Sequence, residues 1–382
     1  MANTLKFGNG EWYGKEDTIL AYNDERNNIK PLPFTFERGS VATVVGKDGL
    51  IKTVGANEPR VDYKDNTDGA MLLEPQRSNL IVNSQKISLS PTKNGTFVDN
   101  FAISPDGTQN ATKLTATDTD PFFYQSVSFS AGSYTASIYL KGIGNSIGKN
   151  FQIRLGVSGS AQIEIPSEWT RFEYTATMTS GSVNCGIEIP NPAVIGDEVL
   201  VWGWQIEQGS YPTSIINTSG SAVTRLQDEC TNGGNEQVIN STEGVLYYET
   251  SAQDNSITTS VLSISSGSNA NSLYSGFSST SNTIQAQLIV GGVAQTNMSF
   301  VVSDRTDFNK IAILYQNNNH KMYVNGVEVA VDTNGSVPSA NTFDRLNFDL
   351  GQGSFDFYGN VKEIKLYDTA LTDQELIELT TI

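Results

Sequence analysis

Carboxylates are the chemistry this chain has most of: 41 Asp and Glu stand against 24 Lys and Arg, with one histidine. Hydrolysis of a sugar polymer needs two carboxyl groups aimed at one bond. Tyr247-Tyr248-Glu249-Thr250-Ser251-Ala252-Gln253-Asp254 offers two on one run, but odd spacing sends Glu249 and Asp254 to opposite faces of a strand. His320 falls in Asn317-Asn318-Asn319-His320-Lys321, which reads as a loop tip. His-based triads and multi-His metal sites are therefore not expected. A phosphate-cradling Gly-Lys-Ser/Thr loop is also missing. The catalytic role is set aside on these grounds, although a depolymerase built from scattered acids stays open.

Binding chemistry has better candidates. Sugar rings stack on aromatic faces while Asp and Asn take their hydroxyls, and Tyr124, Tyr139 and Trp169 are the aromatics that could do this. Asp118 and Asp120, in Asp118-Thr119-Asp120-Pro121, are spaced like a pair of calcium ligands, though a solvated acidic turn uses the same residues. Ca²⁺ is the one cofactor the sequence leaves open. Glu74 and Arg77 stand out in Glu74-Pro75-Gln76-Arg77 and read as packing between units. Trp202 and Trp204 alternate with Leu200 and Ile206, which puts all four on one buried face of a strand.

These residues sit on elements with clear local signatures. Short alternating runs joined by Gly, Asn, Ser and Pro turns give an all-β reading. Val41–Val45 and Leu50–Val54 flank Gly46-Lys47-Asp48-Gly49 as a hairpin. Asn325-Gly326 between Tyr323-Val324 and Val327-Glu328 supplies the two positive φ values of a type I′ turn. Pro75 ends the apolar run that starts at Ala70. The chain closes on a short helix. Thr372 is its N-cap and Glu375 completes the capping box, while Leu371 and Leu376 have staple spacing.

Three units are read along the 382 residues: a β-rich region over 1–80, a sandwich over 81–226, and a second sandwich over 238–382. A short linker joins the last two. The net charge of −17 argues against nucleic acid or an anionic membrane as partner. No apolar run approaches the roughly 20 residues of a membrane helix, and Met1–Gly14 lacks the apolar stretch of a secretory signal. Cys185 and Cys230 read as two inert thiols in different units. Heptads are absent, so any oligomer does not use a coiled coil.

The order Gly244-Val245-Leu246-Tyr247-Tyr248, Asn309–Tyr315, His320–Val329 and Phe357–Leu379 resembles the concanavalin-A-like, laminin-G-like lectin/glucanase jelly roll. Members of that family commonly end on a strand and a short capped helix. Its glucanases carry a Glu-x-Asp-x-x-Glu strand, which this chain lacks. Gly69–Ile81, with its Glu-Pro-Gln-Arg core, resembles a signature of tailed-phage virion proteins. Val201–Ile216 followed by Gly220–Arg225 resembles the close of their carbohydrate-binding-module-like sandwich. The resemblance implies a virion protein of tail-fibre or spike type, made in the host cytoplasm. It would attach through residues 1–80, partner other virion proteins, work as a homotrimer and display its sandwiches to host-surface polysaccharide. A purely structural fibre or docking adaptor that binds no sugar is the alternative.

Overall fold

A computed structural model describes residues 5–10, 14–15, 18–23, 30–191, 193–255 and 258–382. The chain is nearly all β, in several antiparallel sheets, with one α-helix at Asp373–Thr380 among the described residues. The middle sandwich opposes two sheets. One runs Thr92–Asn94, Phe122–Phe129, Gly181–Asn191, Asn150–Leu155, Ser158–Gly159. The other runs Thr96–Ile103, Gln109–Thr115, Glu198–Gln208, Gly132–Ile143, Thr170–Met178. Phe123, Val127, Ile138, Ile153, Ile187 and Trp204 meet between them, as period-two alternation on facing strands requires.

In the C-terminal sandwich, Ser260–Ser265, Ser272–Phe277, Thr283–Val290, Val293–Val301 and Arg345–Asn347 oppose a larger sheet. That larger sheet is covered on both sides. Leu246, Tyr248, Ile311 and Ile364 face the sandwich core, while Val245, Tyr247, Leu314 and Tyr323 lie under Leu371 and Leu376 at the terminal helix. Double coverage explains why Glu243–Ser251 and Asn309–Gln316 are apolar runs rather than alternating ones. The helix is capped as its sequence requires. Thr372 Oγ1 accepts from the Glu375 N–H at 3.4 Å, and the Glu375 carboxylate accepts from the Thr372 N–H at 2.8 Å. Asn325 and Gly326 take the expected positive φ values of 50° and 83°.

Four sequence expectations change. Residues 1–80 do not stand apart: Leu5–Gly8 and Ala70–Leu73 both pair with Gly359–Tyr367, and Leu5, Phe34, Phe36, Met71 and Leu73 belong to the C-terminal core. The stretch between the sandwiches is not a free linker, because Glu229–Thr231 pairs with Lys30–Glu37 and Asp228 and Cys230 are buried. His320 is not at a loop tip. The turn ends one step earlier, with Asn318 at φ 56°, and His320 is buried in strand Asn319–Val324 opposite Tyr315 and Asp332.

The fourth change concerns the tryptophans. Strand Glu198–Gln208 carries a bulge against Gly132–Ile143, since Ser137 faces Gln205 but Tyr139 faces Trp202. Gly203, at φ +68°, supplies the extra residue in a conformation that L side chains rarely adopt. The bulge inverts the parity of the strand. Trp204 and Ile206 face the core with Val199 and Val201, whereas Trp202 turns to the opposite side. There it packs with Ile51 and Ile215, against which Val45, Tyr139 and Trp169 also rest. The Ala42–Val45/Ile51–Val54 hairpin thus lies on a tryptophan that the bulge delivers to it.

Both cysteines are free and buried, as read from sequence, and burial pushes the Cys185 thiol up to about 11.

Candidate functional site

Strand pairing on the first sheet of the middle sandwich defines an outward face residue by residue. Phe123 and Val127 point into the core, so Phe122, Tyr124, Ser126 and Ser128 point out. Their cross-strand neighbours are Glu188, Gly186, Asn184 and Ser182. Gln152 lies beyond Glu188, Arg154 beyond Gly186, and on the other side Asn94 pairs with Phe122 and Thr92 with Tyr124.

Tyr124 is the centre of this face. Its ring lies against Gly186, where a Cβ would meet the Phe123 carbonyl oxygen at 1.8 Å and Tyr124 Cδ1 at 2.5 Å, so the close approach of the two strands requires glycine there and leaves the ring room to rest on the sheet. Phe122 stacks beside it at 4.8 Å between centroids and 28° between planes. The Tyr124 hydroxyl donates to Glu188 Oε1 at 2.6 Å, and Arg154 Nε donates to the same oxygen at 3.0 Å. Burial, followed by the bond to Glu188, pushes the Tyr124 hydroxyl well above the usual tyrosine range. The bond to Glu188 also raises Arg154. Tyr124 is therefore a neutral donor at any physiological pH, locked in orientation by a carboxylate whose charge Arg154 balances. The Arg154 side chain is 32% exposed and also interacts with the Tyr124 hydroxyl.

The acidic turn borders the same face. Asn94 Nδ2 donates to both Asp118 oxygens, at 3.0 and 2.9 Å, and to the Asp120 carbonyl at 2.7 Å; the Asp120 N–H donates to Asp118 Oδ1 at 2.8 Å. The bond from Asn94 leads the effects that draw the Asp118 carboxyl down. Asp118 is thus committed to shaping the turn beside Phe122, and the described residues contain no group of three or more His, Cys, Asp or Glu side chains arranged to hold a metal.

The remaining candidates fall elsewhere. Tyr139 and Trp169 lie on the opposite outer face of the sandwich, around Trp202. The Trp169 indole N–H donates to the Ile103 carbonyl at 3.0 Å, and the Arg171 guanidinium lies 5.8 Å from the Tyr139 ring centroid. Glu249 pairs with Lys362 at 3.5 Å and Asp254 accepts from Ser210 Oγ at 2.6 Å, so these two carboxylates serve separate contacts. Arg77 reaches Glu207 at 3.8 Å and lies over Tyr211.

Glu74 is the hub of a buried ion network. Arg60 Nη1, Arg225 Nη1 and Ser214 Oγ all donate to its Oε2 at 2.6 Å, and the Ser214 N–H donates to Oε1 at 2.7 Å. Arg60 also pairs with Asp228, which accepts from Arg38 Nη1 at 3.0 Å and from the Glu74 N–H at 2.8 Å. Burial alone would raise the Glu74 carboxyl; Arg225, Arg60 and the Ser214 bonds outweigh it and hold the group at about 2. The network ties the 38–74 segment to the exit of the middle sandwich, which is the interdomain packing the Glu-Pro-Gln-Arg stretch suggested.

Sequence reasoning singled out Tyr124 and did not name Phe122, Arg154 or Glu188, which the structure sets beside it. The alternation in Phe122–Phe129 and Asn150–Leu155 carried the signal for which residues point outward. Which strands lie side by side was not available from it.

Residues 247–377 match a family described as the concanavalin A-like lectin/glucanases superfamily. A comparison with curated protein sequences gives no match. Among solved structures, the Ruminococcus gnavus IT-sialidase CBM40 bound to alpha2,3 sialyllactose is similar at 16% identity. The similarity covers 39% of this chain and 93% of that one, with a TM-score of 0.33. Domain 4 of a GH43 extracellular arabinanase from Geobacillus stearothermophilus, in complex with arabinotriose, is similar at 13% identity over 46% and 84%, with a TM-score of 0.32. A heptameric SAP-like pentraxin from Limulus polyphemus is similar at 12% identity over 38% and 72%, with a TM-score of 0.32.

Proposed function

We propose that this chain is a non-enzymatic glycan-binding component of a tailed-phage particle, of tail-fibre or spike type, whose middle sandwich engages host-surface polysaccharide through its outward face. The observation that carries the glycan reading is the Tyr124 platform: a ring laid on the sheet over Gly186, flanked by Phe122, with Arg154, Glu188 and Asn184 as polar neighbours. A pyranose presents an apolar face and a rim of hydroxyls. An oriented ring with donors and acceptors beside it matches that amphipathic shape. The lectin-type match over residues 247–377 supports a carbohydrate-binding chain through its C-terminal sandwich, apart from the Tyr124 face. The resemblance of Gly69–Ile81 and Val201–Arg225 to virion-protein signatures supports the particle assignment. A homotrimer on the virion, attached with the help of residues 1–80, would multiply weak sugar contacts by avidity.

Antibody labelling of intact particles together with a glycan array of the full-length chain tests this. Labelling at the tail tip and binding to host-type polysaccharide are expected. Labelling at the head or collar with an empty array would replace the adhesive role by a structural one.

A further inference from the structure

A cleft of about 310 Å³, lined in part by Tyr211, opens where the middle and C-terminal sandwiches meet. Its volume is at the lower end of the about 300–1,000 Å³ that holds small ligands. The chemistry of its walls is uneven. Arg305, from the C-terminal sandwich, is only 2% exposed. Its Nε donates to the Asp254 carbonyl and its Nη1 to the Ser278 carbonyl, both at 3.1 Å, and Nη2 donates to no described residue. It forms no ion pair with a carboxylate of the described residues. Asp254 acts on its charge from beyond ion-pair distance, so the buried guanidinium is held directly by carbonyls and balanced only in part.

Arg77 lines the same cleft. Its Nη1 donates to the Gln76 carbonyl, its Nε is buried without a hydrogen bond, and Glu207 lies 3.8 Å from that nitrogen. Gln253 adds a third donor to the same wall, a side-chain amide whose Nε2 is also buried and unbonded. The apolar surface comes from Tyr211, under Arg77, and Phe277, under Arg305. Asp254 also borders the space, with one oxygen accepting from Ser210.

We propose that this cleft is a second saccharide site and that it takes a hexuronate residue, its carboxylate set between Arg305, Arg77 and the Gln253 amide and its ring against Tyr211. A planar carboxylate matches the two-pronged donor geometry of guanidinium, and it satisfies at once the donors that the fold leaves unmet. Asp254 faces the ring hydroxyls. The assignment rests on the glycan-binding reading for its class of ligand, but on different residues from the Tyr124 face.

The test is calorimetric titration of the full chain with trisaccharides of galacturonate, glucuronate and mannuronate, and with their methyl esters, which remove the charge and keep the hydroxyls. At least one acid is expected to bind at least about tenfold more tightly than its ester, a loss reproduced by Arg77→Gln and by Arg305→Lys, which keeps charge but not the fork. Near-ultraviolet circular dichroism establishes that each variant is folded. Failure of all three acids to bind, esters that bind as well as acids, or folded variants with undiminished affinity would overturn the proposal. The same titrations on Tyr124→Ala separate the two sites. Hexuronate affinity lost there and kept in both arginine variants would remove the cleft while sustaining the outer face.

Discussion

Replacing Glu74 by Gln tests how the units are held together. The substitution keeps the size and removes one charge. Three donors converge on Oε2 and one on Oε1, so the glutamine amide nitrogen must face a donor in either orientation. Three arginines, Arg38, Arg60 and Arg225, would share the single carboxylate of Asp228 in a buried site. Removing one partner of a buried ion pair costs about 3–5 kcal/mol, mostly as the penalty on the charge left behind. For a protein of this size that lowers the melting temperature by about 4–6 °C. The assay is calorimetry of wild type, Glu74→Gln, Arg225→Met and the double variant. The double variant is expected to be less destabilised than the sum of the singles, because it removes the stranded charge together with its partner. A loss under about 1 kcal/mol in Glu74→Gln, or strict additivity in the cycle, would refute the network as the joint between units.

Three further outcomes follow from particular residues. Burial raises the Asp62 carboxyl to about 6, so the folded protein holds a proton there that the unfolded chain releases near 4. This group's contribution falls as pH rises from about 4 to 6, and Asp62→Asn should add about 1–3 kcal/mol at pH 7.5 and nothing at pH 3.5, read by urea titration at both pH values; equal effects at both would contradict it. Gly203→Ala should cost about 1–2 kcal/mol, because alanine must adopt the left-handed conformation that sets the bulge; a neutral effect on the urea midpoint would mean that the bulge relaxes. Deleting residues 1–80 removes the strands that pair with Gly359–Tyr367 and five residues of the C-terminal core, so the remainder should lose near-ultraviolet ellipticity and unfold at lower urea. A truncated chain with the full-length midpoint would show that those strands are dispensable.

The parts of the fold that sequence made legible are local. Asn325-Gly326 and the Thr372–Glu375 capping box depend on residues within a few positions of each other, and both stand as read. Non-local pairing was out of reach. Nothing in Leu5–Gly8 says that its partner lies some 350 residues later, and nothing in Asp228 says that it faces Arg38 and Arg60. The Trp202 reading failed for a specific reason: strict alternation was carried through Gly203, although a glycine inside a strand is itself a signal for a bulge. Of the candidate site, Tyr124 was visible as an aromatic on an alternating strand. Its support from Gly186 and Glu188 arises only when three strands lie side by side.

The central claim is that the Tyr124 face binds host-surface polysaccharide. Co-sedimentation of the full chain with purified host polysaccharide, wild type against Tyr124→Ala and Arg154→Ala, measures it directly. Covering one face of the tyrosine ring removes roughly half of its apolar surface from water, about 1–2 kcal/mol, so Tyr124→Ala should lower affinity roughly 5- to 30-fold with the melting temperature little changed. Wild-type protein that leaves the polysaccharide in the supernatant, or a folded Tyr124→Ala that sediments with it as wild type does, would contradict the account.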